Sequence, residues 1–301
     1  MAERNVPLTA HDFPREVLDL FDAYVHGGLS RRGFLDQCAA HVGTTVAASG
    51  LLAALAPDFA RAQVIPATDK RIAVSKVDIA SAKGSGSISA YVARPAKTSV
   101  RARKPVVLVV HENRGLNPHI EDIARRLAVD GFIAVAPDAL TKLGGYPGDE
   151  DKARALFGQL DQTKIREDFI AAAAYALALP EGTGKLGAVG FCYGGGVVNM
   201  LATQVPQLRA AVPFYGIPAP LDGVRAIKAE LLVQMAGNDA RINGLWLNYE
   251  VALKAAGVKY EVHIYPGVEH GFNNNTTPRF EKGAAALAWA RTLALFKRTL
   301  I

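Results

Sequence analysis

Gly187-Ala188-Val189-Gly190-Phe191-Cys192-Tyr193-Gly194-Gly195-Gly196 is the stretch on which the fold turns. A short apolar run ends at a cysteine, and glycines stand two places before it and two places after it. The spacing fits a nucleophile elbow, where a strand bends sharply into a helix and presents a reactive side chain at the bend. Such a bend strains the backbone of the nucleophile. A Cβ two residues to either side would clash, so both positions are glycine. A helix starting at the thiol also turns its positive end toward a thiolate. Alone, the motif also fits a buried structural cysteine.

The flanking elements repeat one pattern. Residues 71–79 alternate and read as a strand, followed across the Gly84-Ser85-Gly86 turn by a strand at 87–94. Residues 105–110 form a continuous Val/Leu run, the mark of a strand buried on both faces. A helix at 118–129 puts Ile120, Ile123, Ala124, Leu127 and Ala128 on one face, and a strand follows at 132–136. Helix 165–179, strand 187–191, helix 194–204 and strands 210–215 and 230–236 come next. Helix 245–256, strand 260–265 and helix 281–298 close the chain. An early antiparallel pair followed by strand–helix units predicts an α/β fold with a mostly parallel central sheet and helices on both faces. Sites in such sheets form at the carboxyl ends of the strands.

The chain of 301 residues is half hydrophobic, enough for one large core, and its net charge of +6 is moderate. No run of five or more Lys/Arg occurs, so no nucleic-acid surface is expected. Two cysteines, Cys38 and Cys192, exclude a disulfide framework and a CxxC zinc set. Neither metal nor cofactor is expected. A site built from His111, Glu112, His119, Glu269 and His270 lacks HxxxH or HExxH spacing.

Residues 1–62 read as an N-terminal extension, an export signal or a helical pair, and 63–301 as a single α/β domain. Residues 14–25 have helical periodicity, with Val17, Leu18, Phe21 and Tyr24 on one face. Ser30-Arg31-Arg32-Gly33-Phe34-Leu35 resembles a twin-arginine export signal. The apolar stretch behind it, 42–56, is too short and mild for a membrane span, and Ala60-Arg61-Ala62 offers a cleavage site. Export to the periplasm is therefore expected. The alternative is a cytoplasmic protein whose extension is a helical pair packed on the enzyme, with Ser30 as N-cap. The net acidic stretch before Ser30, and Asp36 after Leu35, favour that alternative.

Further chemistry stands at strand ends. Asp239 follows the strand at 230–236, and His270 follows the strand at 260–265. The order nucleophile, acid, histidine is that of α/β-hydrolases. His270 would take the thiol proton and later activate water, and Asp239 would fix the imidazole tautomer. After strand 105–110 comes His111-Glu112-Asn113-Arg114-Gly115. In this fold the loop there supplies an oxyanion-hole N–H, so the backbone N–H groups of Asn113 and Tyr193 form the expected pair. Glu112 is a carboxylate in a cleft, with a salt bridge to Arg114 or another basic residue as its ordinary explanation.

These residues resemble the dienelactone hydrolase family. The likeness rests on Glu112 through Gly115 with Asn117, on Ala134-Val135-Ala136-Pro137-Asp138, on the elbow Gly190–Gly195, and on Asp239 and His270 in order. It spans roughly residue 70 to the C-terminus. The resemblance implies hydrolysis of small carboxylic esters or lactones through an acyl-thioenzyme. It also implies that Glu112 takes the thiol proton when substrate arrives. Dienelactone-specific members carry an arginine soon after the histidine; here Gly271-Phe272-Asn273-Asn274-Asn275 follows, and the first arginine is Arg279. A peptidase or acyltransferase on the same fold, or a non-catalytic binding protein, are the competing functions.

Overall fold

The computed structural model describes residues 8–59 and 63–301. Its centre is an eight-stranded sheet in the order β1-β2-β4-β3-β5-β6-β7-β8. β1 (Ile72–Ser81) and β2 (Gly86–Pro95) form a long antiparallel hairpin, and β2 runs antiparallel to β4 (Ile133–Pro137). From β4 onward all pairs are parallel, through β3 (Lys104–Val110), β5 (Gly182–Phe191), β6 (Leu208–Phe214), β7 (Glu230–Ala236) and β8 (Tyr260–Tyr265). The apolar runs of β3 and β4 are buried on both faces, as parallel strands between helical layers must be.

The helices divide between the two faces. α4 (Pro118–Val129) and α9 (Lys282–Leu300) pack Ile120, Ile123, Leu127, Ala288 and Phe296 on one side. α6 (Gln162–Ala178), α7 (Tyr193–Gln204) and α8 (Ala240–Ala255) pack Phe169, Val198, Leu201, Ile242 and Leu253 on the other. This is the α/β-hydrolase arrangement, and it sets the ends of β3, β5, β7 and β8 along one rim.

Three differences from the sequence reading have local causes. β5 begins at Gly182, because Gly182-Thr183-Gly184 reads as a turn yet its chain continues in strand pairing beside Lys104. α8 begins at Ala240 rather than 245, since Asp239 itself caps it and overrides the weak helix formers Asn243 and Gly244. α5 (Glu150–Phe157), capped by Asp149, was not foreseen; it is eight residues long and buries only Ala153 and Phe157.

The N-terminal extension forms three helices, α1 (Arg15–Val25), α2 (Arg31–Val42) and α3 (Thr45–Leu55), around a core of its own that includes Phe21, Tyr24, Phe34, Cys38 and Leu55. Ser30 caps α2 by accepting the Gly33 N–H at 3.0 Å. The candidate cleavage residues 60–62 lie outside the described residues. Among the described residues no single helix is long and apolar enough to cross a membrane. α2 and α3 reach that apolarity only together, and they meet at a bend of 114°.

The extension lies on the sheet's functional rim. Arg15 pairs with Glu269 at 2.8 Å, and Arg31 and the Tyr24 hydroxyl both bond Asp151. The Arg154 guanidinium stacks 3.9 Å from the Tyr24 ring centroid and donates to the Tyr24 carbonyl at 2.9 Å. Asn113 Nδ2 donates to the Val25 carbonyl at 2.8 Å.

Candidate active site

Cys192 stands alone between β5 and α7, with φ 55° and ψ −114°. That conformation is costly for a residue with a Cβ and persists only where the surroundings enforce it. The Cys192 N–H donates to Phe214 O at 3.1 Å, and Cys192 O accepts the Gly195 N–H at 3.0 Å. A Cβ on Gly190 would meet the Gly194 carbonyl oxygen at 2.2 Å, and one on Gly194 would meet the Val110 oxygen at 2.3 Å. Both glycines of the elbow are thus required by contact with backbone, which cannot yield.

His270 follows β8, and its Nδ1 lies 2.5 Å from Oδ2 of Asp239. Both side chains are almost fully buried. Oδ1 of Asp239 accepts the Ile242 N–H at 3.1 Å, so one carboxylate orients the imidazole and caps α8. Burial alone would raise the Asp239 carboxyl, but its bonds to His270 outweigh that and hold it low. With Nδ1 engaged, Nε2 of His270 is turned to the thiol, and the two donor atoms lie within 4.8 Å.

A second imidazole reaches the same sulfur, and the sequence reading missed it. His26 caps the end of α1, and its Nε2 lies 3.4 Å from Cys192 Sγ and 3.3 Å from Nε2 of His270. The two rings are perpendicular, with centroids 4.6 Å apart. The only sequence signal was Asp22 and His26 at i,i+4 on one helix, a pair common on solvated faces. Burial would raise the Cys192 thiol, yet the His270 and His26 imidazoles outweigh it and set it well below the ordinary thiol range.

Glu112 follows β3 and accepts a hydrogen bond from Asn274 Nδ2 at 3.0 Å. The bridge to Arg114 that would be its ordinary explanation does not form; Arg114 instead bonds Asn113 and faces Glu150 at 3.4 Å. Burial pushes the Glu112 carboxyl up to about 7, with Cys192 adding to the shift and Arg279 and His270 opposing it. Asp138 steadies this loop by accepting the Leu116 N–H at 3.1 Å and the Leu140 N–H at 3.0 Å. Asn113 is tied to α1 through Val25, and Tyr193 opens α7 beside the thiol, where first-turn N–H groups lack intrahelical acceptors.

A cavity of about 410 Å³ opens above Cys192, with Glu112, His270 and Arg279 on its floor and Tyr24, Leu52 and Leu55 of the extension on its roof. Arg279, distant from His270 in sequence, returns to this cavity and lies over the Phe21 ring at 5.0 Å. Among the described residues, the donor atoms of His26, Cys192 and His270 are close enough to share a metal ion. The Arg241 guanidinium sits 3.1 Å from the same Nε2 of His26, so a cation there would meet an existing one. Two histidines weighed earlier as ligands are engaged elsewhere. His111 Nε2 accepts the Ala139 N–H at 3.0 Å, and His119 Nδ1 lies 3.2 Å from Asn275 Oδ1.

A cysteine at the β5–α7 bend, an acid after β7 and a histidine after β8 stand in the order of an α/β-hydrolase. The chain belongs to the dienelactone hydrolase family, whose pattern matches residues 88–300. It is a carboxylic ester or lactone hydrolase by that membership. A YqhI-like pattern matches residues 5–42, within the helical extension. A relative in Escherichia coli (strain K12), the hydrolase fragment YghX, is 49% identical over 109 residues, 36% of this chain and 92% of that one. A second protein of that strain, named as a carboxymethylenebutenolidase, is 32% identical over 223 residues, covering 69% of this chain and 82% of its own. A crystal structure titled as a dienelactone hydrolase of Klebsiella pneumoniae superposes with a TM-score of 0.65 at 30% identity, covering 75% of this chain and 99% of the other.

Proposed function

We propose that the enzyme cleaves small carboxylic esters or lactones by nucleophilic catalysis through Cys192, with His270 and Asp239 as its base and orienter. The thiolate attacks the acyl carbon, and the developing oxyanion is held by the N–H groups of Asn113 and Tyr193. Collapse of the tetrahedral species expels the alkoxide, which takes a proton from imidazolium. His270 then deprotonates the water that hydrolyses the thioester. Glu112, close to neutral pH in its titration, is suited to receive the thiol proton as substrate enters.

The observation that carries this reading is a strained cysteine on the elbow, whose thiol sits within 4.8 Å of an imidazole braced by a buried carboxylate. The cavity of about 410 Å³ suits a small molecule. Turnover of a chromogenic short-chain ester tests it: activity lost in both Cys192→Ala and His270→Ala is expected, and unchanged turnover in Cys192→Ala rules it out.

Export is proposed on the Arg31-Arg32 pair. N-terminal sequencing of protein from its native host tests this. A mature chain starting near Gln63 supports cleavage and export, and a retained Met1 or Ala2 end contradicts it.

A further inference from the structure

We propose that His26, carried by the N-terminal extension, is a catalytic residue: a second imidazole that holds the proton of Cys192 beside His270. This rests on the reading of Cys192 as nucleophile and on an extension that stays on the working enzyme, as its packing on the rim favours; a mature chain cleaved near Gln63 would remove His26 and overturn the proposal.

Two Asp–His units converge on one sulfur. His270 presents Nδ1 to Asp239, and His26 presents Nδ1 to the Asp22 carbonyl at 2.8 Å and to its carboxylate at 3.2 Å. In each ring the engaged Nδ1 fixes the tautomer and leaves Nε2 for the thiol. The sulfur and two nitrogens form a cluster with His26 Nε2 at 3.4 Å from Sγ and 3.3 Å from its counterpart.

The proton balance is simple. Here the thiol proton goes to His26 in place of Glu112: the Cys192 S–H bond breaks, and an N–H bond forms at His26 Nε2, leaving thiolate beside imidazolium. The thiolate bonds the acyl carbon, and the alkoxide released takes a proton from an imidazolium. One nitrogen can pass its proton to the other across 3.3 Å. Once the alkoxide has left with that proton both rings are neutral; His270 then takes a proton from the attacking water, and the thiolate released from the thioester faces imidazolium again, whose proton either Nε2 can hold.

The groups facing His26 come from several elements. Asp22 lies on its own helix, Cys192 at the elbow and His270 in the loop after β8. Arg241 approaches from α8 at 3.1 Å from Nε2, and Arg279 stands 3.7 Å from Asp22. Burial lowers the His26 imidazole, but Cys192 and Asp22 outweigh it and bring it up to about 10. Arg241 opposes the cation, because its N–H needs a lone pair on Nε2. Two proton states follow, one with Arg241 donating to neutral His26, the other with imidazolium facing thiolate.

The test is the pH dependence of Cys192 alkylation by iodoacetamide in the full-length protein, read by peptide mapping; Cys38 is buried. His26→Ala and His26→Gln should each raise the midpoint by about one unit, slowing alkylation about tenfold below it. Free imidazole should restore the rate in His26→Ala by filling the vacated space. Arg241→Gln should move the midpoint the other way. Profiles that superpose on wild type overturn the proposal while leaving Cys192 and His270 as a pair. A shift in His26→Ala that imidazole does not reverse overturns it too, since helix displacement then explains the change. Alkylation fails to bear on ester turnover only if Cys192→Ala retains activity, an outcome that belongs to the nucleophile reading.

Discussion

Oδ2 of Asp239 lies 2.5 Å from Nδ1 of His270, while Oδ1 of the same carboxylate accepts the backbone N–H of Ile242 at 3.1 Å. One side chain therefore does two jobs that substitution can separate. Asp239→Asn keeps an oxygen for the cap and should change stability by less than about 0.5 kcal/mol, whereas Asp239→Ala should cost about 1 kcal/mol. Both should lower kcat/KM by roughly 10²-fold or more, because the imidazole loses its orienting charge. Chemical denaturation beside ester kinetics checks the split.

Glu112 gives a stability change of defined sign. Its carboxyl titrates at about 7 in the folded chain against an ordinary value of 4.5. The native state keeps a proton that the unfolded chain gives up, so stability falls as pH rises from 4.5 to 7, by about 3 kcal/mol at full development. Glu112→Gln retains an acceptor for Asn274 and should remove this loss, making the variant the more stable protein at pH 8. If Glu112 receives the thiol proton, the same variant should acylate about 10²-fold more slowly. Denaturation at pH 5 and pH 8, with stopped-flow acylation, separates the two effects.

His119 acts in the opposite direction. Burial among apolar groups, with Arg126 adding, lowers its imidazole from 6.5 to about 3. The unfolded chain binds a proton below pH 6.5 that the native chain refuses. Stability therefore falls as pH drops from 6.5 toward 3, by up to about 5 kcal/mol. His119→Asn should flatten the acid limb of a stability–pH curve by about one proton's slope.

The elbow glycine Gly190 is held by backbone contact. Gly190→Ala places a Cβ 2.2 Å from the Gly194 oxygen, against atoms with no freedom to move. The variant should lose at least about 3 kcal/mol or fail to fold, visible as a lowered Tm or as insoluble protein.

Much of this was legible in the sequence for identifiable reasons. Buried parallel strands read as unbroken apolar runs, which made 105–110 and 230–236 plain, and strand ends then pointed to Glu112, Cys192, Asp239 and His270. Capping also carried signal at Ser30, where the hydroxyl takes the Gly33 N–H. What stayed hidden depends on packing between distant segments. His26 sits at the end of an amphipathic helix, and nothing local tells that this end enters the cavity. Arg279 follows His270 at a distance that hides its return over Phe21. The helical extension as a roof of the site is likewise a tertiary fact, made by Arg15–Glu269, Asn113–Val25 and Arg154–Tyr24 contacts.

The central claim is that Cys192 becomes covalently acylated during turnover. Rapid acid quench of the wild-type enzyme during turnover of an activated aryl ester, followed by intact-mass and peptide mass spectrometry, measures it directly. The account predicts one acyl group per chain on the peptide holding Cys192, released by neutral hydroxylamine as a thioester should be. Ester turnover in wild type with no adduct on that peptide, or an adduct on a different side chain, would contradict it.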